Sequence, residues 1–172
     1  HIRAPGDRTG NSGPAGIFGS LVNEGHPDFM TLLADRAQMH LFNGGALTPE
    51  RNIQRLARRM QEIHNSLVTE SARWGYRSPS SWENAAQDAI NNLFPTQTQS
   101  LVSRLRSRGL FPALDAPALG QHGGVIAAGT MLDIQAGGGT IYYALGGTDP
   151  RMPGGGILPE ALTLGGGGSS EV

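Results

Sequence analysis

The feature that most constrains this chain is a change of hydrophobic period near Leu110. Before it, apolar residues recur every three or four positions, as on one face of a helix. After it they alternate every second position, as in a strand with one buried side. The expected fold class is α+β: a bundle of about five helices followed by a small, incomplete antiparallel β-module. Residues 14–109 are the helical segment and 118–164 the β part. Residues 1–13 and 165–172 are expected to be loop or linker, the latter a Gly-Ser tail of flexible composition.

Ile17, Phe18, Leu21 and Val22 are spaced for a short first helix. A second opens at Pro27, a residue suited to the first helical position, and stops at Asn43-Gly44-Gly45. The third has Thr48 placed as a cap, Pro49 to open it and Glu50 to complement the helix dipole. Its apolar stripe runs Ile53, Leu56, Ala57, Met60, Ile63, Leu67, Val68, Trp74, and Gly75 ends it. Ser80-Ser81-Trp82-Glu83 reads as a capping box for the fourth helix, which Pro95 should break. A fifth carries Leu101, Val102 and Leu105 and closes at Gly109.

Pro112 and Pro117 mark a linker. Strands are expected at Val125-Ile126, at Leu132/Ile134, at Ile141/Tyr143/Leu145 and over Ala161–Leu164, with Gly-rich turns between them. So small a β-module has little area to bury and should pack poorly alone or dock on the helices.

Composition narrows the chemistry. There are 26 Gly and 11 Pro among 172 residues, and only 38% are hydrophobic. The first residue is His1, so the natural start is expected upstream and the chain is read as a fragment. A net charge of −1 provides no global field toward nucleic acid, and no nucleic-acid partner is expected. The absence of cysteine removes disulfides, thiolate metal sites and Cys nucleophiles. No apolar run approaches the ~18 residues that span a bilayer.

No catalytic residue and no metal ligand set is assigned. The histidines form no metal-binding pair, and His40 and His64 are read as packed beside their helices' apolar stripes. Phosphate loops of the Walker type need a Lys, and all 13 basic residues here are Arg. The carboxylate pairs Asp28/Asp35 and Asp115/Asp133 look like chance spacings. Two sets remain as binding candidates. Arg51, Arg55, Arg58 and Arg59 could form a phosphate-recognising patch, or a solvated helix face with Glu62 as local partner. Tyr142 and Tyr143 point to opposite faces of one strand; one should be core, and the exposed one could stack on a sugar ring, making polysaccharide a possible partner.

Two stretches resemble known families. Phe29 to Arg51, with Glu70-Ser-Ala-Arg-Trp-Gly75, resembles the C-terminal helical part of CotH-like (spore coat protein H) kinase-family proteins of planctomycete type. Gly139-Thr-Ile-Tyr-Tyr-Ala-Leu-Gly-Gly-Thr-Asp-Pro-Arg151 resembles the chitobiase/β-hexosaminidase C-terminal β-sandwich module, with Ala144 and Gly146 where that module usually has Thr and Asp. The first resemblance implies a non-catalytic helical buttress of a kinase-like domain, with the β-module as an accessory. It also implies an extracellular or cell-surface protein whose partners are an upstream lobe or further domains of the same polypeptide. Phosphotransfer, with its ATP and Mg, would reside in the parent protein; no cofactor is expected in this chain.

Overall fold

The computed structural model describes residues 16–75, 78–164 and 168–171, the last four by their backbone. The expected loop over residues 1–13 lies outside them. The fold is α+β. Its elements are α1 (Gly16–Glu24), α2 (Pro27–Leu41), α3 (Pro49–Trp74), α4 (Pro79–Asp88), a π-helical turn (Ala89–Leu93) and α5 (Phe94–Ser107). Five short strands follow: β1 (Ala118–Leu119), β2 (Met131–Gln135), β3 (Ile141–Tyr143), β4 (Leu162–Leu164) and β5 (Gly168–Glu171).

Compactness divides the chain along a different line from the change of period. One unit comprises His1–Asp35 with Gly109–Val172, the other Arg36–Arg108. The first therefore unites α1, most of α2 and all the strands; the second holds the long helices.

In the helical unit, Leu41, Ala86, Ala89 and Val102 are buried, with the Thr48 side chain among them. The α2 C-terminus is closed by Asn43 and Gly44, both at positive φ. A Cβ at Gly45 would overlap the Met39 carbonyl and lie 2.7 Å from that of His40, so the chain can turn there only with glycine. Thr48 stands at the N-cap of α3, but its hydroxyl does not cap: it donates to the Gly45 carbonyl at 3.0 Å. α3 ends where expected, with Gly75 left-handed and its N–H donating to the Ser71 carbonyl.

Two expectations about the next helix are corrected. Its N-cap is Ser78, whose Oγ accepts from the Ser81 N–H at 3.1 Å, and Pro79 takes the first helical position. Ser80 lies inside the helix, and Glu83 reaches His64 of α3 instead of closing a capping box. Pro95 does not break the helix. The five-residue π turn before it, in which the Phe94 N–H donates to the Ala89 carbonyl, widens the backbone. A wide turn relieves the clash a proline ring makes with the carbonyl four residues back. Helix is thus unbroken from Pro79 to Ser107, and the described residues contain four helical rods, not five.

α3 and the α4–α5 rod run antiparallel. His64 meets Glu83 at 3.1 Å, and Thr98 of α5 donates to the Leu47 carbonyl just before α3. As α3 advances, its partners recede along the other rod. The apolar stripe of α3 is only partly covered: none of its residues is buried, and Val68 and Trp74 are exposed.

In the other unit, Phe18 of α1 packs edge-on against Phe29 of α2 with centroids 5.8 Å apart, a favoured aromatic geometry. Leu110, Phe111, Ile134 and Ile141 are buried in this unit, as is Gly19 of α1. The order β1-β2-β5 makes a three-stranded antiparallel sheet, and β3 pairs with β4 so that Ile141 faces Leu164 and Tyr143 faces Leu162. Val125 and Ile126 are not a strand. Both are exposed, and the first strand is Ala118–Leu119 instead. Flanked by Gly123-Gly124 and Gly129, all at positive φ, the pair lies in a segment that turns too often to extend. The expected Gly-Ser tail is strand over Gly168–Glu171, where it satisfies the free edge of β2 with Met131 opposite Glu171.

Candidate functional site

The candidate site is a cleft of about 710 Å³ in the α1–α2–strand unit, and Tyr142 is the aromatic side chain on its wall. Alternation along β3 decides which tyrosine is available. Ile141 is buried and Tyr143 half-buried on one side of the strand, while Tyr142 projects from the other and is 43% exposed. Thr140, Thr148 and three carboxylates, Asp35, Asp115 and Asp149, share the cleft with Arg151.

The charged groups are held by local geometry. Asp149-Pro150 forms a turn: Asp149 Oδ1 accepts from the Arg151 N–H at 2.9 Å. The backbone then makes a tight hairpin, with Leu158 N–H donating to the Pro150 carbonyl and Met152 N–H to Gly156. Gly154 and Gly155, at φ 83° and 89°, form its tip, a conformation that side chains with a Cβ rarely adopt. Arg151 is thereby aimed along the cleft. Its Nε donates to Asp149 Oδ1 at 2.9 Å and its Nη2 to Asp149 Oδ2 at 2.8 Å. Its Nη1 and Nη2 also reach Asp35 Oδ1 and Oδ2 at 3.0 and 2.8 Å. One guanidinium thus bridges two carboxylates in the fork geometry that Arg favours. These hydrogen bonds, chiefly from the Arg151 side chain, hold the Asp149 carboxyl down at about 2. The same bonds to Asp149 and Asp35 raise Arg151 further above its already high value.

Asp28 belongs to this arrangement, and the view of Asp28/Asp35 as a chance spacing is corrected. Seven positions are two helical turns, so both carboxylates lie on one stripe of α2. Asp35 takes Arg151, and Asp28 Oδ1 accepts from the Gly154 N–H at 2.6 Å. Neither Arg151 nor the Asp28/Asp35 stripe was singled out as functional from sequence. The signal was the seven-residue spacing of two Asp on an amphipathic helix, opposite a Gly-rich turn bearing one Arg.

The arginines of α3 have a different setting, in the helical unit. Arg51 donates to the Gly44 carbonyl and to Gln54, and Arg55 to Asn52. Arg58 and Arg59 both bind Glu62, at 2.8 and 2.9 Å, with side chains 82% and 66% exposed. This is an outward helix face whose cations are engaged by near neighbours in sequence.

The CotH resemblance associates ATP and Mg with a parent protein. A nucleotide-bound Mg needs convergent acidic ligands. Among the described residues no three His, Asp or Glu lie together in a metal-holding group, and Asp28 and Asp35 are engaged by Gly154 and Arg151. Among the described residues no helix is long and apolar enough to cross a membrane.

No family model, curated protein or solved structure matches this chain. The likenesses to CotH-like proteins and to the chitobiase C-terminal module rest on the residues quoted for them.

Proposed function

We propose that this chain is a non-catalytic accessory segment of an exported or cell-surface protein, and that the cleft beside Tyr142 binds polysaccharide. The observation that supports this best is the pairing of an exposed aromatic ring with fixed polar groups in one cleft. A tyrosine face offers apolar contact to the C–H face of a pyranose, and the carboxylates, hydroxyls and guanidinium around it offer hydrogen bonds to its hydroxyls. The Arg151 bridge holds Asp35 and Asp149 in place before any ligand arrives, so less ordering entropy is lost on binding.

The position of the motif supports the same reading. Tyr142 and Arg151 both fall within residues 139–151, the stretch that resembles an accessory module of carbohydrate-active enzymes. The CotH-like resemblance of residues 29–51 and 70–75 favours a helical buttress for a kinase-like domain elsewhere in the polypeptide; that assignment rests on the resemblance alone.

Pull-down on chitin and on cellulose tests the proposal. The chain should be retained on at least one of them, and Tyr142→Ala should release it. Retention unchanged by Tyr142→Ala, or passage through both, would remove the reading.

A further inference from the structure

A second cleft lies within the helical unit, where the end of α3 meets the start of α4. Leu67, Glu70, Ser71 and Trp74 recur at three, four and seven positions, one stripe along the last two turns of α3. Ser78, Pro79 and Trp82 close it from the first turn of α4. The volume is about 480 Å³, within the size range of small-molecule sites. Both tryptophans of the chain are in its wall.

We propose that this cleft is a binding site for a small organic cation with an apolar body, such as a quaternary or tertiary alkylammonium. Leu67, Pro79 and the two indoles make the lining strongly apolar, and among the described residues on it Glu70 is the charged one. Among the described residues no ion pair or hydrogen bond engages the Glu70 carboxylate. Each alternative ligand class meets a penalty. An anion is repelled by Glu70. A neutral apolar ligand desolvates that carboxylate and leaves it unpaired. A sugar finds few hydrogen-bonding groups. A cation pairs with Glu70 and gains attraction from indole faces, the best aromatic partners for cations. Trp74 already accepts one: the Arg73 guanidinium lies 5.0 Å from its ring centroid. Arg73 is not among the residues lining the cleft.

The test is a titration of tryptophan emission in the intact chain with phenyltrimethylammonium, against its neutral isostere tert-butylbenzene. The expected result is a saturable change with the cation and at least about tenfold weaker binding of the isostere. Glu70→Gln, an exposed change whose folding far-UV dichroism verifies, should weaken the cation about five- to tenfold and leave the isostere unaffected. Trp82→Leu should weaken the cation by a similar factor. Equal affinity for cation and isostere, insensitivity to Glu70→Gln, or no saturable change up to about 10 mM would overturn the proposal.

Discussion

The guanidinium of Arg151 grips both carboxylate oxygens of Asp35, at 3.0 and 2.8 Å, although 116 positions of sequence separate them. The contact fastens the hairpin at Pro150–Leu158 to α2, and Asp28 fastens the same hairpin at its tip, through the Gly154 N–H. Arg151 and its two partners are all partly exposed; the side chains of Asp35 and Asp149 are 47% and 54% accessible. Solvent screening therefore limits what each pair contributes.

Replacing Arg151 by Lys should loosen this hairpin although the charge is kept, because a point charge cannot bridge two carboxylates bidentately. A double-mutant cycle with Asp35→Asn, read from urea unfolding, should give a coupling of about 0.5–1 kcal/mol. A coupling indistinguishable from zero would mean the bridge is incidental.

Acid should release the same hairpin in a defined window. The Asp149 carboxyl is lowered from 3.8 to about 2 by its bonds to Arg151. A carboxyl depressed in the folded state contributes stability that is complete above its unfolded value and is lost as pH falls through its folded value. The melting temperature should therefore drop between about pH 4 and pH 2, and Asp149→Asn should remove part of that drop. An identical acid profile in the variant would contradict the assignment.

The start of α4 gives a paired test of where the helix begins. Ser78→Ala removes the side chain that accepts from the Ser81 N–H and should destabilise the helical unit by about 1 kcal/mol. Ser80→Ala, one position inside the helix, should cost nothing measurable, since Ala is the better helix former. Chemical denaturation followed at 222 nm distinguishes them. The reverse ranking would restore Ser80 as the cap.

Gly45 admits no side chain. Its Cβ position runs into backbone carbonyls of the last turn of α2, which cannot rotate away. Gly45→Ala should destabilise the helical unit by roughly 1–3 kcal/mol. Gly44→Ala, where no atom lies within 4 Å but φ is 74°, should cost about 1 kcal/mol from backbone strain alone.

Much of the helical half was legible because its signals are local. Pro27, Asn43-Gly44, Pro49, Gly75 and Gly109 start or stop helices through their own backbone preferences. What failed depends on competition between neighbours. Ser78-Pro79 outcompetes Ser80 as a start, since proline at the first helical position fixes the register two residues earlier. Pro95 is tolerated because a five-residue π turn, Ala89–Leu93, forms just before it, which no residue of that turn announces. The β-part was legible at Leu132/Ile134 and Ile141/Tyr143, where alternation persists, and illegible at Val125-Ile126, where two apolar residues lack a partner strand. At the site, alternation alone separates exposed Tyr142 from half-buried Tyr143. The Asp28/Asp35/Arg151 network needed long-range pairing, and only the fold brings a helix and a hairpin so far apart in sequence together.

Isothermal titration of the chain with a soluble β-linked N-acetylglucosamine oligomer tests the binding claim most directly. Saturable heat in the wild type, lost in Tyr142→Ala and kept in a folded Tyr143→Phe variant, is the outcome the cleft predicts. Undiminished binding by Tyr142→Ala, with the sugar contacting some other surface, would contradict it.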